Sequence, residues 1–262
     1  MLVLIKGAGD LATGIACRLV RGGFQVIMTE LEKPTTVRCT VAFSRAVYNG
    51  DAVVENIRGV RANSVEEALR VSASGMVAVI VDPDGCNIQK IQPDAVVDAT
   101  LKKENLCTKI SEAAAVIGVG PGFTVGMNCH AAIETQRGHN LGRVLYEGST
   151  APNTGIPGKI GGYSTERLIR ASADGIFERK AKIGDIVKAG QTVAIVSGIP
   201  VVAQIDGVIR GLLPTGTEVY NGMKSGDVDP RAKKEYCFSV SDKALAIGGG
   251  VLEAILHFTS KK

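Results

Sequence analysis

The stretch "LVLIKGAGDLATG" places an apolar run and a lysine ahead of a glycine pair, and Ile15, Leu19 and Val20 follow at helical spacing. The pattern predicts a short buried strand, a tight turn and an amphipathic helix. The helix is expected to end at "RGG", and "FQVIMTE" then predicts a second strand that finishes at Glu30. Ser64 and Glu67 stand at the spacing of a capping box and Gly75 is a stop signal, so "SVEEALRVSASG" predicts a helix. "MVAVIVDPDG" predicts a buried strand ending in an Asp-Pro-Asp-Gly turn, "AVVDAT" a strand ending near Asp98, and "AAVIGVG" a strand running into "GPGFTVG". Continuous apolar strands alternating with helices indicate a parallel sheet covered on both faces. Ligands in such sheets bind at the carboxyl ends of the strands.

The second half has a different rhythm. "GDIVKAG" (residues 184–190) and "GTEVYNG" (residues 216–222) share the frame G-x-x-V-x-x-G, with "VVAQIDGVIRGLL" between them. A duplicated short β-unit around a central hairpin is similar to the barrel-sandwich-hybrid fold of biotinyl and lipoyl domains. In those domains a lysine at the hairpin tip carries the prosthetic group. The corresponding "VSGIPVVAQIDG" has no lysine, so no covalent biotin or lipoyl group is expected, and the module is read as serving docking or assembly. "SVSDKALAIGGGVLEAIL" predicts a helix capped by Ser241 or Asp242, apolar enough to pack back on the first domain. The expected fold is α/β: a Rossmann-like parallel-sheet domain over residues 1–148, a linker and connecting helix over 149–173, a barrel-sandwich-like β-module over 174–231, and a C-terminal strand and helix over 232–262.

Composition narrows the class. The 262 residues are 45% apolar, enough for a proper core. No apolar run reaches the roughly 18–20 residues of a membrane span, and "MLVLIKGAG" lacks a signal-peptide pattern, so a soluble cytoplasmic protein is expected. The net charge of +4 is spread along the chain apart from "ERKAK" and "RAKKE", and only 4% of residues are aromatic, which disfavours nucleic acid as a partner. Cys17, Cys39, Cys86, Cys107, Cys129 and Cys237 form no C-x-x-C, so no metal site is expected and most of these thiols should be reduced and buried.

Two stretches carry the candidate chemistry. Gly7, Gly9 and Ala12 match G-x-G-x-x-A, and Glu30 follows at about the 20-residue interval at which an acid meets a ribose hydroxyl. Asp10 falls where a phosphate would sit and can instead cap the helix. The second stretch, "GPGFTVGMNCHAAIETQRGH", leaves a central strand; there Gly120 and Gly122 would admit a bound group, and Arg137 would hold a phosphate or carboxylate. His130, Glu134, Arg137 and His139 are the candidates for proton transfer and anion binding, with Arg143 behind them. A structural alternative pairs Glu134 with Arg137 across the turn and seats His139 on a backbone carbonyl. Cys129, next to His130, and Cys39 are the candidate thiols, with core packing as their alternative. The linker "APNTGIPGKIGG" offers Asn153 and Thr154 as hydrogen-bonding groups.

"GPGFTVG…HAAIETQRGHNLGRV", "PNTGIPG", "GDVDPR" and "SDKALAIGGGVLEA" together resemble the YqeB-type accessory proteins of the selenium-dependent molybdenum hydroxylase system. The first half is also similar to the nucleotide-binding half of the xanthine dehydrogenase accessory proteins. The resemblance implies a maturation factor that binds molybdopterin cofactor and hands it to molybdenum hydroxylase subunits, with a selenium-activating enzyme as a further partner. It supplies no catalytic set. One rival expectation is an NAD-dependent oxidoreductase built on Gly7, Gly9 and Glu30 with a relay from His130 or His139. The other is a non-enzymatic scaffold that docks the hydroxylase, and apolar patches on the β-module offer a surface for a homo-oligomer.

Overall fold

The computed structural model describes residues 1–102 and 108–260, which form two compact units. The first comprises Met1–Pro34, Ala42–Thr154 and Val240–Lys262; the second comprises Thr35–Val41 and Gly155–Ser239.

The first unit runs β1 (Leu2–Lys6), α1 (Asp10–Arg21), β2 (Gln25–Glu30), α2 (Arg45–Asn49), β3 (Asp51–Val54), β4 (Ile57–Ala62), α3 (Val65–Ala73), β5 (Val77–Val81), α4 (Ile88–Ile91), β6 (Ala95–Asp98), β7 (Ala115–Val119), β8 (Ala131–Ile133) and β9 (Val144–Leu145), and ends in α5 (Asp242–Thr259). Its strands make one nine-stranded sheet in the order β3-β4-β5-β2-β1-β6-β7-β8-β9. The inner strands are parallel, and β3 and β9 close the two edges antiparallel. One face packs Leu4, Ile27, Ala78, Val96 and Val116 against Val65 and Ala68 of α3 and Ile88 and Ile91 of α4. Helix α3 begins as its capping residues require: Ser64 Oγ accepts from Glu67 N at 3.2 Å, and the Glu67 carboxylate accepts from Asn63 N at 2.8 Å.

Helices α1 and α5 lie against each other, and α5 also meets β7, β8 and β9. These close approaches account for Gly14 of α1 and Gly250 of "AIGGG". A Cβ on Gly14 would stand 2.6 Å from Ala244 Cβ, and one on Gly250 would stand 2.3 Å from the Gly142 carbonyl oxygen. Gly249, on the same helix, has nothing within 4 Å of the corresponding position.

The second unit has eight strands, β10 (Leu168–Arg170), β11 (Gly175–Arg179), β12 (Ile186–Val187), β13 (Thr192–Val196), β14 (Ile199–Val202), β15 (Gly207–Leu212), β16 (Thr217–Val219) and β17 (Lys224–Asp229). They form two four-stranded sheets, β10-β17-β15-β12 and β14-β13-β11-β16, around Phe177, Val193, Val196, Ile209, Leu212 and Val228.

The expected Rossmann-like domain followed by a barrel-sandwich-hybrid module is corrected in both parts. The first unit is a mixed α/β structure on one large sheet. Its winding is broken because α2 and α4 are single turns, β3 and β9 reverse direction, and the chain from β7 to β8 folds back as a loop. The second unit is not a self-contained repeat over residues 174–231. The segment Thr35–Val41 completes it, with Leu212 N donating to Val37 O at 2.8 Å, and Gly211 leaves the space that this crossing needs. Among the described residues, no helix is long and apolar enough to cross a membrane.

Five cysteines are free thiols, and Cys107 lies outside the described residues. Cys17 on α1 and Cys129 ahead of β8 are fully buried, and burial pushes each thiol up to about 11 from 9.0. A thiol kept neutral in the fold and free to ionise in the unfolded chain contributes stability that is complete below pH 9 and is lost as the pH rises toward 11. Urea titrations between pH 8.5 and 11 should show a falling midpoint, and the fall should be shallower in Cys17→Ala and Cys129→Ala than in the parent. The helix contact gives a second expectation. Gly250→Ala should destabilise by about 1–3 kcal/mol through overpacking, whereas Gly249→Ala should stabilise by about 0.5–1 kcal/mol through helix propensity; the two urea midpoints check both signs.

Candidate functional site

Strand β1 has β2 on one side and β6 on the other, so the chain winds outward in both directions from the gap between β1 and β6. In open α/β sheets the carboxyl side of this reversal is where ligands bind. Lys6 ends β1 there and Asp98 ends β6. The Lys6 ammonium, on a residue only 6% exposed, donates to Thr108 Oγ1 at 2.7 Å and to Glu112 Oε1 at 2.9 Å. Thr108 Oγ1 in turn donates to Asp98 Oδ2 at 2.6 Å, and Asp98 Oδ1 accepts from Thr100 N and Oγ1 at 3.1 and 2.7 Å. A charge-assisted chain therefore runs from Lys6 through Thr108 to Asp98, with Asp98 and Thr108 only 4% and 3% exposed. Glu112 Oε2 lies 2.8 Å from the same ammonium nitrogen, so both carboxylate oxygens stand against Lys6 in a close ion pair.

The loop after β1 is closed by the chain itself. Gly7, at φ +90°, permits close passage: a Cβ there would stand 3.2 Å from the Ala99 carbonyl oxygen. The Ala8 amide, which a pyrophosphate would need, donates to Glu30 Oε2 at 2.9 Å, while Leu31 N donates to Glu30 Oε1 at 2.8 Å. Gly9 is the residue before α1 and makes no side-chain cap, Asp10 opens the helix, and Ala12 is buried in it. Glu30 thus occupies the amide as an acceptor instead of awaiting a ribose.

The glycine-rich stretch after β7 also folds on itself. Phe123 lies against Gly118, where a Cβ would meet the ring at 2.1 Å, and Gly120 (φ +85°) sits against Thr135 and accepts from Thr150 Oγ1 at 2.6 Å. Gly122 O accepts from Asn128 Nδ2 at 3.2 Å. His130 and Glu134 fall at opposite ends of β8. His130 Nδ1 accepts from Val116 N at 3.0 Å with its ring against Phe258, and Glu134 takes Gln136 N and Ala151 N at 2.6 and 2.8 Å. Arg137 makes two parallel hydrogen bonds to Asp242, at 2.8 and 2.9 Å, instead of pairing with Glu134. His139 and Arg143 are exposed, as are Asn153 and Thr154 at the end of this part of the unit. Cys129 is a neutral core thiol. Cys39 lies in the second unit, its sulfur 3.6 Å from Arg179.

The candidate residues from sequence therefore do not converge, and the cluster that does form contains Lys6, Thr108 and Glu112, which the sequence reading passed over. One signal was available: Lys6 is a charge at the end of an apolar run in a strand covered on both faces, where charges are rare. A separate open cavity of about 350 Å³ lies at the carboxyl ends of β4 and β5, lined by Arg61, Asn63, Ser64, Glu66, Asn87 and Lys90. It lies away from the reversal of strand order and holds no buried charged network. Among the described residues, no three His, Cys, Asp or Glu side chains are grouped to hold a metal ion.

No protein-family model matches the chain. Three solved structures show a weak likeness. An aspartoacylase family protein from Mesorhizobium loti is 15% identical, covering 88% of this chain and 86% of its own, with a TM-score of 0.30. A succinylglutamate desuccinylase from Silicibacter sp. is 12% identical, covering 87% and 84%, with a TM-score of 0.27. A succinylglutamate desuccinylase/aspartoacylase from Rhodobacter sphaeroides is 19% identical over 24% of this chain and 22% of its own, with a TM-score of 0.23. The molybdopterin-handling maturation factor, the NAD-dependent oxidoreductase and the hydroxylase-docking scaffold are all corrected here. For the two anionic cofactors the physical reason is local: the Ala8 amide is taken by Glu30, and Arg137 is held by Asp242. The resemblance to YqeB itself stands: over 255 residues, 97% of its length, the chain is 49% identical to the protein named "Uncharacterized protein YqeB" of Escherichia coli (strain K12), and it spans 47% of that relative.

Proposed function

We propose that this protein acts on a small polar metabolite at the junction of β1 and β6, with Lys6, Thr108, Asp98 and Glu112 as the working groups. The observation that carries the reading is a buried charged network placed where the strand order reverses. Buried ion pairs add little to stability compared with well-packed apolar residues, so a network of this kind at a ligand-binding position favours a chemical role.

Among the described residues, Lys6 has two hydrogen-bond partners for three ammonium protons. A ligand acceptor would share the ammonium with Glu112, whose carboxylate suits a donor beside it. Amides, amino acids and hydroxy acids present both. The chain also supplies a proton route. If Thr108 passes its proton to Asp98 while accepting one from Lys6, the ammonium–carboxylate pair becomes an amine and a carboxylic acid, with no net charge change. The amine is then a base or nucleophile toward a ligand carbonyl.

The test separates this role from bracing. Lys6→Met alone should cost about 3–5 kcal/mol because Glu112 loses its buried partner, and the double variant Lys6→Met/Glu112→Leu should recover most of that in urea titration. In thermal-shift assays against a panel of small amides, amino acids and hydroxy acids, at least one compound should raise the melting temperature of the parent and have no effect on the refolded double variant. A panel with no stabilising compound, or one that acts equally on both proteins, would overturn the reading.

A further inference from the structure

Within the second unit, Arg210 is buried with few hydrogen bonds. It lies in β15, where Ile209 pairs with Val228 and Gly211 with Asp227, so Arg210 is the extra residue of a β-bulge in the β15–β17 ladder. A bulge re-aims the side chain it carries and is common beside functional sites. The residue is only 6% exposed, and its Nε is buried without a hydrogen-bond partner. Its nearest carboxylate oxygen, Asp229 Oδ2, lies 3.7 Å from Nη1 and already accepts from Arg231 Nη2 at 2.6 Å. Asp229 Oδ1 takes Arg231 N and Nε at 3.0 and 2.9 Å. The other nearby carboxylate, Asp227, gives both oxygens to Arg167, at 2.7 and 3.0 Å. Arg210 is thus left with a distant share of a carboxylate held by another arginine.

The neighbouring charges are mixed: Arg38 and Arg231 add positive field, and Asp227 and Asp229 oppose it. Burial, and then the neighbouring Arg38, push the Arg210 guanidinium below its ordinary range. Arg38, itself buried, directs Nη2 to the carbonyls of Tyr236 and Ser239 at 3.2 and 3.3 Å. A guanidinium offers five donors in a planar fork that matches oxyanions. A buried charge without full compensation is costly, and an anionic ligand is what removes that cost.

We propose that Arg210, presented by the β15 bulge beside Arg38, is the anchor of an oxyanion site in the second unit that takes phosphate or a phosphoryl group. The site is distinct from the Lys6 network and does not depend on that reading.

Thermal shift and isothermal calorimetry with the full chain, at constant ionic strength, test the assignment with inorganic phosphate, a simple phosphomonoester (glycerol phosphate) and a chloride control. Phosphate or the phosphomonoester should raise the melting temperature saturably where chloride does not, and the tighter of the two identifies the source of the oxyanion. Arg210→Met should weaken that binding by about tenfold or more, the loss expected for charged hydrogen bonds. Without phosphate its melting temperature should equal or exceed the parent's, because an undercompensated buried charge has gone. Arg210→Lys, which keeps the charge and loses the fork, should retain weakened binding and serves if the methionine variant misfolds. Equal shifts in parent and variants, or no shift in the parent, would refute the site.

Discussion

The first unit depends on how its parallel strands end. Each strand delivers its chain to the same edge of the sheet, where backbone amides leave the ladder and need acceptors. Four strands meet this need with a carboxylate at or next to their last residue. Glu30 takes the Ala8 and Leu31 amides, Asp82 takes Cys86 and Asn87, Asp98 takes Thr100, and Glu134 takes Gln136 and Ala151. The loops that line a ligand edge in related architectures are therefore fastened by the protein's own anions. An anionic cofactor approaching this edge would compete with acceptors already in place and meet like charge.

Strands β1, β4 and β7 lack such a carboxylate, and β1 locates the candidate chemistry. It ends in a cation, Lys6, flanked by the carboxylate-bearing end of β6 and by Thr108 and Glu112. Hydrogen bonds of a charged pair in a poorly solvated place are strong, but removing the charges from water opposes them. The second unit contains the same tension in another form. Arg167 Nη2 donates to both oxygens of Asp227, Arg231 holds Asp229, and Arg210 is left over on a bulge. Both places concentrate charge where apolar residues would pack more cheaply, which is why each is read as a site rather than a brace.

The glycines divide between these tasks. Gly14 and Gly250 let α5 approach α1 and the chain near Gly142, whereas Gly7 and Gly120 let loops cross at the sheet edge in left-handed conformations. A fingerprint of spaced glycines after a strand is compatible with a ligand's approach and equally with the approach of another segment of the same chain. Here Ala99 and Thr100 fill the space beside Gly7.

Local order was legible in the sequence. Apolar period and capping residues marked β1, α1, β2, α3, β5, β6, β7 and α5, because strand burial and helix capping are decided by neighbours within a few positions. Pairing across the chain was not legible. The use of Thr35–Val41 by the second unit, the separation of His130 from Glu134 at the two ends of β8, the capture of Arg137 by Asp242 and the meeting of Lys6 with Thr108 and Glu112 span up to a hundred residues and more. Hydrogen bonds and ion pairs are fixed by position in space, and no local pattern encodes which distant carboxylate a given amide or cation will find. The sequence by itself determined where chains run straight, turn and coil; the tertiary structure alone decided which charges meet, because that depends on the order in which strands enter a sheet.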